Sequence, residues 1–157
     1  MIDDDWLSSR LETTYREART VLDAQNEVIG DIDEKAMRTV RVSVVLVGLI
    51  VSAVEIAGGR FNWLWLTVGG ITFLGSLVTG VLAYSESTLY LGPRRRYIEQ
   101  LRRDEFDDRD WSQDLLATYG EWIEQNDRTV RRNGRLLFLT QLLLITGVTF
   151  TAAAIAF

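Results

Sequence analysis

Two kinds of hydrophobic pattern alternate along this chain. Leu11, Tyr15, Ala18, Leu22, Gln25, Ile29, Ile32 and Ala36 recur at steps of four and three among charged neighbours. That is heptad spacing with one polar core position, Gln25. From residue 42 the charges disappear. The stretch 42–54 carries none and continues past a lone Glu55 to Gly59, and 61–85 and 136–157 carry none at all. Before the last of these, Leu115, Tyr119, Trp122, Asn126, Thr129 and Asn133 again step by four and three. A spanning helix needs roughly 20 mostly apolar residues, so three transmembrane helices are predicted. The expected fold class is all-α, a single helical membrane domain over 1–157. Its parts are a cytoplasmic helix at 4–41, spans at 42–59, 61–85 and 136–157, and cytoplasmic helices within 94–134. Helices one and three thus extend beyond the membrane as a stalk.

Local signals place the ends. Asp3, Asp4 and Asp5 suit a helix N-terminus, and no proline interrupts the chain from there to Gly58. A continuous first helix would be roughly 80 Å long, with Gly30 as its weak point. Span two is expected to continue helically to Leu91, where Gly92-Pro93 stops it. A short helix at 94–103 and an acidic loop over Asp104–Asp110 follow. Helix three begins near Asp110, which with Gln113 makes a capping-box-like pair. Helices one and three run the same way through the membrane. Counting back from Arg41 and Arg135 puts Ile29 level with Ile123 and Gln25 level with Tyr119. The expected stalk contacts are Gln25, Ile29, Tyr119, Trp122 and Asn126, with buried amides at Asn126 and Asn133 fixing register or oligomer state.

Charge placement orients the spans. Residues 1–41 hold six Lys/Arg and 85–135 hold ten, while the turn between the first two spans has only Arg60. The positive-inside rule then puts the N-terminus in the cytoplasm and the C-terminus outside. Phe61, Trp63 and Trp65 mark the outer end of span two, and Tyr84 and Tyr90 its inner end. The first apolar run begins too late for a cleavable signal and reads as an uncleaved anchor; neither end carries a lipidation motif. All but Lys35 of the 17 basic residues are arginine, against 22 acids. This bias resembles that of proteins from salt-loving archaea, in which surface carboxylates serve solvation.

The chemistry on offer is narrow. Without cysteine or histidine there is no disulfide, no zinc site, no thiol catalysis and no imidazole base. No phosphate loop, nucleophile elbow or metalloprotease motif occurs. The chain therefore reads as no enzyme, with no catalytic, cofactor-binding or metal-binding residues. What stands out is small and hydroxyl side chains at helical spacing: Gly48, Ser52, Glu55 and Gly59 in span one, Gly69, Thr72, Ser76, Thr79 and Ala83 in span two, and Thr140, Gly147, Thr151 and Ala154 in span three. Such faces let helices approach and hydrogen-bond in lipid. Alternatively, Gly48, Ser52, Glu55, Thr72 and Ser76 line a pore made by several copies. Glu55, the one ionisable group in a span, reaches the interface or Arg60, or else serves an ion, a proton or another subunit. The acids at 104–110 lack calcium-loop spacing and read as a solvated loop. Arg94–Arg96 and Arg102–Arg103 suit topology and anionic lipid. The cytoplasmic segments are net acidic, which argues against nucleic acid.

At Ile32-Asp33-Glu34-Lys35-Ala36, just before span one, the chain resembles small membrane effectors of the Pycsar and SLATT-type antiviral systems, where an Asp-x-Lys-Ala stretch leads into the first span. Tyr119-Gly120-Glu121-Trp122-Ile123 and Arg131-Arg132-Asn133 resemble stretches before the last span of haloarchaeal membrane proteins. The first resemblance implies a homo-oligomer that disrupts or perforates the membrane on a nucleotide signal, received directly or through a soluble sensor. The competing expectation is a non-transporting accessory subunit whose stalk docks a soluble partner. Either way the chain is expected to be solvated by membrane lipids.

Overall fold

A computed structural model describes residues 4–56, 62–85, 89, 90, 92, 99 and 108–156. Nearly all of them lie in three long helices: α1 (Asp4–Ile56), α2 (Trp63–Ser85) and α3 (Asp108–Ala156). No strand occurs among the described residues. Each helix contains a stretch long and apolar enough to cross a bilayer. The turn at 57–61 with Arg60, the arginine clusters at 94–96 and 102–103 and the acids at 104–107 lie outside the described residues. So does the expected helix at 94–103, apart from Glu99.

α1 is unbroken at Gly30, where an added Cβ would meet open space. One mid-helix glycine costs about 1 kcal/mol, and its surroundings offset this. Asp31–Lys35 and Glu34–Arg38 pair along the exposed face, as do Glu12–Arg16 on α1 and Glu124–Arg128 on α3. Each acid lies four residues before its base, the favourable order. Exposed helix pairs of this kind contribute roughly 0.3–0.5 kcal/mol each.

The end of α2 departs from expectation. The sequence predicts helix as far as Leu91, yet Leu89 and Tyr90 are non-helical. Ser85, Ser87 and Thr88 cluster in the sequence just before them, and such side chains compete with the helix for backbone hydrogen bonds. Tyr90 then finds a different partner, described below.

The chain divides into two compact units, Met1–Val28 with Thr88–Val130, and Ile29–Ser87 with Arg131–Phe157. In the first, Leu22 of α1 packs with Leu115, Tyr119 and Trp122 of α3, and Tyr15, Ala18 and Trp111 lie at the margin. The two helices run parallel here, Tyr15 meeting Tyr119 and Gln25 reaching Ile123. Their register differs from expectation by about one turn. Gln25 is predicted level with Tyr119, but its amide bonds the Ile123 carbonyl. The count from Arg41 and Arg135 assumes equal depth for two arginines, and such flexible side chains reach for water from different depths.

In the second unit α2 runs antiparallel to α3. Asn62 N–H donates to the Ala154 carbonyl at 3.2 Å, Trp65 stacks on Phe150, Gly75 approaches Leu143 and Gly80 approaches Thr140. Gly80 also lies against Val40 of α1. The outer surface is apolar, with Val45, Leu49, Leu64, Ile71, Phe138 and Ile145 all exposed. So broad an exposed apolar belt has no stable place in water, and lipid is the solvent that suits it.

Candidate functional site

The interior of the second unit is built from residues that let backbones touch. A Cβ on Gly69 would lie 2.6 Å from Thr151 Oγ1 and 3.2 Å from the Gly147 carbonyl, and a Cβ on Gly147 would lie 3.0 Å from Thr72 Oγ1. A side chain at Gly69 would have to push the Thr151 hydroxyl aside and press against the backbone of α3. Phe73, 2% exposed, fills the space beside Gly147.

Hydroxyls join the same two helices further along. Ser76 Oγ donates to the Thr140 carbonyl at 2.9 Å, and Thr140 Oγ1 lies 2.9 Å from Thr79 Oγ1. Ser76 and Thr140 are fully buried. Thr72 and Thr79 bond back to carbonyls of their own helix. The Thr151 hydroxyl is buried with no hydrogen-bond partner. Thr72 and Ser76 thus sit in the contact between α2 and α3.

Span one is different. Gly48 is exposed, with open space where a Cβ would stand. Ser52 is exposed, its hydroxyl donating to the Gly48 carbonyl at 3.0 Å. Glu55, one turn on, is exposed too. Gly48, Ser52 and Glu55, on the face that sequence spacing marks for helix packing, are thus left uncovered among the described residues.

Beside that face, α1 and α2 diverge and leave a groove of about 410 Å³. Val47, Val51 and Val54 form one wall, Leu66 and Leu74 the other, and buried Phe73 the floor. Glu55 is the one charged residue among the described residues that line it, and the surface it offers there is almost wholly apolar. Sequence periodicity gives no warning of this groove, because its walls read as ordinary lipid-facing apolar positions.

The predicted stalk residues fall in both units. In the first unit Gln25 Nε2 donates to the Ile123 carbonyl at 3.0 Å, while its Oε1 is buried without a hydrogen-bond partner. Tyr119 and Trp122 are core residues whose rings pack together. Burial, and then a hydrogen bond with Tyr15, push the Tyr119 phenol above the usual tyrosine range. Asn126 is fully buried and uses both ends of its amide on one residue: Oδ1 accepts from Tyr90 N–H at 2.9 Å and Nδ2 donates to the Tyr90 carbonyl at 3.0 Å. Ile29 and Asn133 are buried in the second unit.

No group of carboxylates able to hold a metal ion occurs among the described residues. The chain matches no protein-family model, no curated protein and no solved structure. Function is therefore read from geometry alone.

Proposed function

We propose that this chain is the subunit of a homo-oligomeric membrane assembly that opens a conducting or membrane-disrupting path, gated through its cytoplasmic helices. The observation that carries the reading is the uncovered face of Gly48, Ser52 and Glu55. Only 6% of the apolar window of α1 is buried within the chain, against 28% for α2. In lipid, small and hydroxyl residues gain by meeting another helix, and a carboxylate gains by meeting protein or water. A second copy of the chain supplies the first, and a water-filled path between copies supplies the second.

The interior of the second unit is filled by Phe73 and by the Ser76–Thr140 contact, so a path needs several copies. The acidic first unit is, on this reading, the cytoplasmic part that a nucleotide signal or soluble sensor would act on. Purified protein in liposomes should release an entrapped dye or carry ion current. Tight liposomes containing demonstrably inserted protein would overturn the proposal. Tight liposomes together with a stable hetero-complex on gentle extraction would instead favour the accessory-subunit reading.

A further inference from the structure

Arg41 stands deeper in the second unit than a residue that only marks a membrane edge. A Cβ on Gly80 of α2 would meet both Val40 of α1, at 2.6 Å, and Thr140 of α3, at 3.2 Å. Val40, Gly80 and Thr140 therefore share a level. Arg135 lies five residues before Thr140, while Arg41 lies one residue past Val40, on the other side of that level. Arg41 is thus set roughly 9 Å further into the uncharged part of the unit than Arg135, from the helical rise per residue. Its surroundings are already those of the apolar belt, with Val42, Val45, Leu82, Leu139 and Leu142 exposed around this level.

We propose that Arg41 binds the phosphate of an anionic membrane lipid, whose headgroup it draws inward along α1. Arg41 is exposed, and among the described residues no carboxylate pairs with it. One turn away on α1 stand Met37, Arg38, Val44 and Val45, so the helix itself offers no acid. Glu34, two turns below, already holds Arg38 at 2.7 Å, and Asp31 holds Lys35 at 3.6 Å. A charged guanidinium in hydrocarbon is costly, and its long side chain bends toward the headgroups to keep the charge solvated. Phosphate is the group it meets there, and phosphate oxygens match the guanidinium fork. Charge then selects among lipids. A zwitterionic lipid brings its own ammonium to the phosphate, whereas an anionic one gains the full attraction of Arg41, magnified by the low dielectric. A soluble anion would have to leave water to reach the same point, so lipid is the source that fits. All of these residues belong to the second unit, and the site is complete in one copy of the chain.

The test exploits the absence of cysteine from the chain. The full chain carrying Val45→Cys is labelled with a small fluorophore one turn from Arg41 and placed in phosphatidylcholine liposomes. Phosphatidylglycerol with a nitroxide near the headgroup should quench this fluorophore more than phosphatidylcholine with the same nitroxide. Arg41→Gln should lower the local preference for the anionic lipid about fivefold, the effect of one basic side chain near an anionic headgroup. Arg41→Lys keeps the charge and should retain most of the preference. Because Arg41 is exposed, both variants should keep the parent's helical circular dichroism spectrum. Equal quenching by the two lipids, or an excess that survives Arg41→Gln, would overturn the proposal. Complete loss of the excess in molar salt would overturn it too, by revealing a diffuse surface attraction. Displacement of the lipid by millimolar inorganic phosphate would instead make this a site for a soluble anion and overturn the assignment to lipid.

Discussion

Asn126 of α3 closes on the backbone of Tyr90, its carboxamide accepting from the N–H and donating to the C=O of the same residue. The side chain thus imitates a neighbouring strand, satisfying two backbone groups that lie beyond the end of α2. A residue that belongs to neither long helix is held to the first unit by this pair.

Asn126→Ala removes both side-chain bonds to the Tyr90 backbone. At a half-buried residue each lost hydrogen bond contributes about 0.5–1.5 kcal/mol net. The expected result is a lower thermal midpoint and faster amide exchange at Tyr90, with the second unit's exchange unchanged. Equal protection of Tyr90 in parent and variant would show that the pair is dispensable.

Glycine positions should separate cleanly. Gly69→Ala drives a Cβ against Thr151 Oγ1 and the backbone of α3, and overpacking of this kind costs typically about 1–3 kcal/mol. Adding Thr151→Ala removes the side-chain clash but not the contact with the Gly147 carbonyl, so rescue should be partial. Gly30→Ala meets open space and should stabilise the helix by about 0.5–1 kcal/mol. Thermal unfolding in a single detergent ranks all three.

Ser76→Ala should cost about 0.6 kcal/mol, the average for a hydrogen bond between helices in lipid. Ser76→Leu has no room at a fully buried position and should destabilise far more. Comparable midpoints for the two variants would mean that Ser76 faces lipid and not α3.

Tyr119 carries a pH signature. Its folded pKa is raised by burial and by Tyr15, so the folded state keeps the phenol proton after the unfolded chain has lost it. The stability this contributes is complete below the ordinary tyrosine value of about 10 and is lost as pH rises through the raised value. Tyr119→Phe should remove a late-titrating component from the tyrosinate absorbance and flatten the alkaline loss of stability.

Gly48→Leu and Ser52→Leu add bulk to the uncovered face of α1. Neither should lower the stability of the single chain, because both positions are exposed. Both should reduce the mass of the assembly measured in mild detergent, together with any dye release. An assembly of unchanged size would place the contact between copies elsewhere.

Much of the helical framework is legible in the sequence. The three uncharged stretches correspond to the three long helices, since lipid imposes a length and a composition that few other constraints imitate. The stepped positions Leu22, Leu115, Tyr119 and Trp122 come together as a core, because heptad spacing assigns residues to a face. Depth is less readable. The Gln25 bond to Ile123 shows that arginines at two membrane edges do not fix register, their side chains being too long and flexible. The non-helical Tyr90 escapes sequence reading for a related reason: its partner, Asn126, is remote in the chain and no local signal links them.

The sequence by itself determined which residues can lie in lipid and which faces of each helix carry small or polar groups, because transfer free energy and helical periodicity are local properties of the chain. Only the tertiary structure decided which of those faces are used. The Ser76 face met Thr140, the Gly69 face met Thr151, and the Gly48–Ser52–Glu55 face stayed exposed among the described residues. That choice depends on how three helices cross and separate, a property of backbone geometry summed over distant residues that no single stretch of sequence encodes.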